Sequence, residues 1–179
     1  MRKLNMFLVL GMLLTFAAHG VMGSMRLFGS DAPTLKAAAW ACVCFICAHI
    51  IVTSVLMFQT LRARRLSGAG YFRDNLMFWA RRISGFAILI PLVMHIAVFH
   101  PSNAGAFRLS AFTIGRLISQ IMLVVFIAFH VLTNIEPMLI SFGVKKTKAF
   151  SHDIMLVISV ALLAAAAAFA VYYARWAAV

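Results

Sequence analysis

Long apolar runs broken by short basic loops set the pattern of this chain. Five such runs predict helices over about Met6 to Met22, Lys36 to Leu61, Phe78 to His100, Phe112 to Phe142 and Asp153 to Trp176. Each matches the roughly 20 apolar residues that a helix needs to cross a bilayer. None shows the short alternating strands of a membrane β-barrel. Gly29, Asp31 and Pro33 punctuate the first loop, and Ser102 to Gly105 forms a turn after His100-Pro101. Pro91 predicts a kink in the third span, and Pro137 a bend or frayed end in the fourth. Tyr172, Tyr173 and Trp176 predict an interfacial belt on the fifth, and its alanines, Ala164 to Ala168, permit close helix packing.

Composition narrows this to an all-α membrane protein. Of 179 residues, 64% are hydrophobic and 11% charged, more apolar surface than a water-soluble domain of this size uses. The net charge of +12 would suit nucleic acid. The basic residues, however, stand in loops beside spans, where topology places them, so no nucleic-acid partner is expected. With the N-terminus in the cytoplasm, Arg2, Lys3, Arg62, Arg64, Arg65, Arg73, Arg81, Arg82, Lys145, Lys146 and Lys148 lie inside. Arg26, Lys36, Arg108, Arg116 and Arg175 lie outside. Those 11 and 5 account for all 16. The expectation is a single multi-pass domain over residues 1–179 in the cell's inner (cytoplasmic) membrane, surrounded by lipid, with its N-terminus in the cytoplasm. Cys42, Cys44 and Cys47 share one apolar run and read as small packing residues, although Cys44 and Cys47 spell C-x-x-C.

Histidine is the candidate chemistry. His19, His49, His95 and His130 stand one on each of the first four spans. A single intramembrane histidine can simply hydrogen-bond a neighbouring helix. Four in succession point to metal, because an ionisable group in hydrocarbon is costly unless something binds it. Imidazole is a usual axial ligand of b-type haem, and helix bundles hold such cofactors in their cores. Ala18, Gly20, Gly23, Ala48 and Ala128 leave room beside the rings. At about 1.5 Å per residue, His19 and His95 lie on the order of 20–25 Å from the inner ends of their helices. His49 and His130 lie about 18–20 Å from theirs, so the pairs match in depth with a small gap between them. His100 and His152 sit at span ends, where a histidine is unremarkable. Glu136 is the one acidic residue within a span.

The order of these features resembles the cytochrome b membrane anchor of the succinate dehydrogenase and fumarate reductase family, in its single-subunit, five-helix, dihaem form. The resemblance rests on the basic N-terminus before His19, on His49 ahead of a basic loop, on Arg82-Ile83-Ser84-Gly85 opening the span of His95, and on the late His130. It covers the first four spans; the fifth fits only as a generic span. The fold it implies is a five-helix transmembrane bundle with haem held between the first four helices. It implies two b haems, His19 with His95 and His49 with His130, and electron transfer with menaquinone or another quinone. An iron–sulfur subunit and a flavoprotein subunit would dock on the cytoplasmic face, and the complexes could pair as dimers. Arg81, Arg82 and Ser84 become candidates for contact with the inner haem or a quinone. The two arginines also read as simple topology signals. No nucleophile or acid–base pair marks the chain as catalytic toward a dicarboxylate. Two alternatives stay open: the haem b anchor of another quinone-linked reductase or dehydrogenase complex, and a haem-free structural membrane protein.

Overall fold

The computed structural model describes residues 1–30, 36–67, 75–99, 112–144 and 147–177. Its elements are α1 (Arg2–Leu27), α2 (Lys36–Ser67), α3 (Leu76–Ala87), α4 (Leu89–Phe99), α5 (Ile114–Ser141) and α6 (Thr147–Ala177). The helices α3 and α4 are halves of one span, so five candidate membrane crossings result, of 24 to 31 residues. At about 1.5 Å per residue each reaches 36 Å or more, beyond the roughly 30 Å hydrocarbon core. Several helices outrun the apolar stretch that predicts them. A helix needs its backbone bonds rather than apolar side chains to continue. At the end of α2, Arg64 and Arg65 suit the negative end of the helix dipole. The predicted turn at Ser102 to Gly105, and Asp31, Pro33, Arg73, His100, Arg108, Lys145 and Lys146, lie outside the described residues.

Exposure is reversed relative to a soluble protein. Phe7, Leu14, Ile51 and Phe58 are each about two-thirds exposed, at 64–65%. Among the described residues the buried polar side chains are Ser84, Ser119, Gln120 and Ser151. Apolar surface turned outward and polar groups turned inward is the arrangement lipid favours.

The helices form two compact units. One holds α1 up to Met22 together with α2. There Gly11 allows close approach: a Cβ at this position would lie 2.6 Å from the ring of Phe45. The other unit holds the end of α1, from Gly23, with α3 to α6. In it α5 packs against both α4 and α6. Its apolar core is Leu27, Phe112, Ala168 and Phe169, with Val98, Phe99, Tyr172 and Tyr173 packed around them. Tyr172 meets Phe112 edge-on at 5.2 Å. The two tyrosines therefore serve the core as well as any interfacial belt.

Glycine ends two helices. Gly29 (φ +95°) and Gly143 (φ +81°) take the left-handed conformation that side chains resist. After α1, Ser30 N donates to Met25 O at 3.0 Å and Gly29 N to Arg26 O at 2.9 Å, closing a Schellman motif. Val144 N to Leu139 O and Gly143 N to Ile140 O repeat the pattern after α5. The Arg175 guanidinium then donates to Phe28 O at 2.7 Å and covers the space a Gly29 side chain would need. Gly29→Ala meets the backbone penalty of a positive φ and displaces the guanidinium of the exposed Arg175. It is expected to cost ~1–3 kcal/mol, visible as a lower Tm in detergent. An unchanged Tm would show that this turn is not strained.

Pro91 interrupts its span as expected. It has no N–H for the Ala87 carbonyl, and the helix breaks at Ile88 between α3 and α4. Pro137 behaves differently: α5 runs through it without a break to Ser141.

Candidate functional site

All four histidines sit on long apolar helices and are half-buried: His19 on α1, His49 on α2, His95 on α4 and His130 on α5. Beside His19, a Cβ at Gly20 or at Gly23 would meet nothing within 4 Å. Those glycines face open space rather than a packed neighbour. On α2, Thr53 Oγ1 donates to the His49 carbonyl at 2.7 Å.

The pairing of the third span with α5 is antiparallel, and three polar contacts record its register. Arg81 meets Thr133, Ser84 meets His130, and His95 meets Gln120. The two imidazoles are thus held at stations ten or eleven residues apart along their helices. That is about 15–16 Å, roughly half the hydrocarbon core. The depth count from sequence put the pairs close together. The count takes the inner ends of the two helices as level, whereas the contact of Arg81 with Thr133 sets them in a staggered register.

At the first station His130 Nδ1 lies 3.0 Å from Ser84 Oγ. Ser84 spends its single proton on Arg81 O, at 3.1 Å one turn back. Its oxygen can then only accept, so His130 Nδ1 carries the hydrogen. Close approach depends on Gly85, where a Cβ would stand 3.1 Å from His130 Cε1.

At the second station His95 Nδ1 lies 2.7 Å from Gln120 Oε1. The amide orientation follows from its neighbours. Ser119 Oγ donates to Arg116 O at 2.8 Å and so accepts from Gln120 Nε2 at 3.0 Å. That leaves Oε1 toward the histidine and the hydrogen on Nδ1. Gln120 is completely buried. The His95 ring also lies 4.9 Å from that of Phe99 and 6.3 Å, edge-on, from that of Phe169. The fifth span therefore contributes to this station, where the sequence suggests only a generic crossing.

Both rings end in one tautomer, Nδ1–H with the electron pair on Nε2. That is the form a histidine takes when it ligates a metal through Nε2 and is oriented by a bond at its other nitrogen. The donor chemistry at His95 and His130 thus fits b-type haem ligation. Among the described residues no three His, Cys, Asp or Glu side chains gather to hold a bare metal ion.

The other candidates divide. Ser84 joins His130. Arg81 Nε donates to Thr133 O at 2.8 Å. Arg82 lies over the Phe78 ring, 4.0 Å from its centroid. Glu136 is exposed near the end of α5, and His152 is exposed on α6. Cys44 and Cys47 are exposed free thiols, and Cys42 a buried one. Sequence reasoning passes over Gln120, Ser119 and Asn134. An amide inside an apolar run is itself costly, and that signal alone would have flagged Gln120.

Comparison with protein-family models, with characterised proteins and with solved structures finds no match. Fold and composition together define a multi-pass membrane protein with five long apolar helices. One of its helix pairings, the third span with α5, carries two histidines, each bonded across to the facing helix.

Proposed function

We propose that this chain is a dihaem cytochrome b membrane anchor. It passes electrons between a membrane quinone, such as menaquinone, and the iron–sulfur subunit of a fumarate reductase or succinate dehydrogenase-type complex. The observation that carries the proposal is the pair of contacts at His95 Nδ1 and His130 Nδ1. Each has Nδ1 within hydrogen-bond distance of an oxygen on the facing helix, at two stations about 15 Å apart along the helices. His19, His49, His95 and His130 are the ligands, in the pairing the family resemblance implies. Haem, when bound, supplies one-electron carriage.

The remaining work belongs to the chain. Ser84 and Gln120 orient the two rings. The apolar helices keep water from the stations. The basic residues that end α2 and open α3 (Arg62, Arg64, Arg65, Arg81 and Arg82) face the cytoplasm and favour docking of a soluble partner. The iron–sulfur and flavoprotein subunits bind on that face, with the N-terminus on the same side and the chain in the inner membrane. The dicarboxylate chemistry lies on the flavoprotein, and a dimer of complexes is the expected assembly.

A second reading has its own support. Bonds from His95 and His130 to the facing helix also describe a haem-free structural protein. Quinol reduction separates the two. Purified chain in lipid vesicles is expected to show a b-type absorption that a menaquinol analogue reduces. A coloured preparation that no quinol reduces would move the assignment to another haem b complex. A colourless one would favour the structural reading.

A further inference from the structure

Arg81 has two plausible duties, and the geometry favours one. Pro137 lacks the N–H that would close a helical bond on the Thr133 carbonyl, four residues earlier. Arg81 Nε occupies that carbonyl at 2.8 Å. Thr133 in turn holds the backbone of the ligand candidate: its hydroxyl donates to Phe129 O at 2.8 Å and to His130 O at 3.1 Å. Asn134 Nδ2 adds a bond to His130 O at 2.7 Å. On the facing helix, the Arg81 carbonyl receives Ser84 Oγ, and Ser84 receives His130 Nδ1. The contacts form a closed circuit, Arg81 to Thr133 to His130 to Ser84 and back to Arg81. One residue fixes both the helix that carries His130 and the hydroxyl that orients its ring.

We infer that Arg81 is a positioning residue for His130, acting by capping the carbonyl that Pro137 opens. This explains why α5 passes through a proline without breaking. It also gives Arg81 a duty distinct from topology signalling or contact with a haem propionate. The pairing with Pro137 stands on geometry alone; only its consequence for haem rests on the proposed function.

Pro137 makes the test specific. In Pro137→Ala the new backbone N–H reaches the Thr133 carbonyl from within the helix, and the guanidinium loses its purpose there. Arg81→Met, Pro137→Ala and the double variant would be made in the full chain. Thermal unfolding in detergent and the b-type spectrum would be recorded for each. Arg81→Met is expected to lower Tm by about 3–10 °C and to shift or broaden about half of the haem absorption. In the Pro137→Ala background the same substitution should lower Tm by less than half as much and leave the spectrum unshifted. If Arg81→Met alone gives no folded protein, Pro137→Ala should recover it. An Arg81→Met effect equally large with Ala at 137, or no recovery, would overturn the inference. Coupled Tm values in a colourless protein would support the capping role while ending the haem reading.

Discussion

Replacing His130 by alanine should remove one of two haems and leave the other in place, so the reduced-minus-oxidised b-type absorption falls by about half. The argument turns on which partner is lost. His130 donates Nδ1–H to Ser84 Oγ, and Ser84 keeps its own bond to Arg81 O. Deleting the ring leaves an under-used acceptor, which is a mild defect compared with a stranded donor. The Arg81 to Thr133 bond does not involve the ring. The fold should therefore survive, and the loss should be specific to the cofactor. Haem content per chain and Tm, read on one preparation, check this. Retention of both haems would remove His130 from the ligand set. Loss of both with a collapsed Tm would mean that the ring holds the fold.

Gln120→Leu should behave in the opposite way, with a penalty to the fold as well as to the ligand. Gln120 is completely buried and supplies the acceptor for His95 Nδ1–H. Leucine fills much of the space but accepts nothing, so the N–H of the half-buried His95 loses its acceptor. The cost is on the order of 1–3 kcal/mol. The tautomer of His95 is also no longer fixed. Losing such an orienting partner typically weakens metal binding about 10–100-fold. The His95 station should release its haem to an apo-protein acceptor faster than wild type, while His130 keeps its own. Equal release from both stations, with Tm unchanged, would show that Gln120 is not an orienting residue.

Much of this was legible in the chain. Five spans follow from apolar runs of sufficient length, and the break near Pro91 from its missing N–H. The four histidines announce themselves because imidazole has no cheap place in hydrocarbon. Their second partners did not. Ser84 with His130 and Gln120 with His95 depend on the register of two antiparallel helices, which loop lengths and apolar periodicity leave open. Pro137 alone predicts a bend. The unbroken passage of α5 through Pro137 leaves a carbonyl without its helical partner, and Arg81, more than 50 positions earlier, is found on it. Phe169 reached His95 for a similar reason, since the packing of α6 on α5 is a tertiary fact.

The cofactor claim is tested most directly by counting haem. Chain purified in mild detergent from cells able to make haem would be converted to its pyridine haemochrome, and haem b divided by protein. The account predicts about two haem b per chain, falling to about one in His130→Ala. A colourless wild-type protein, folded and five-helical, would contradict it.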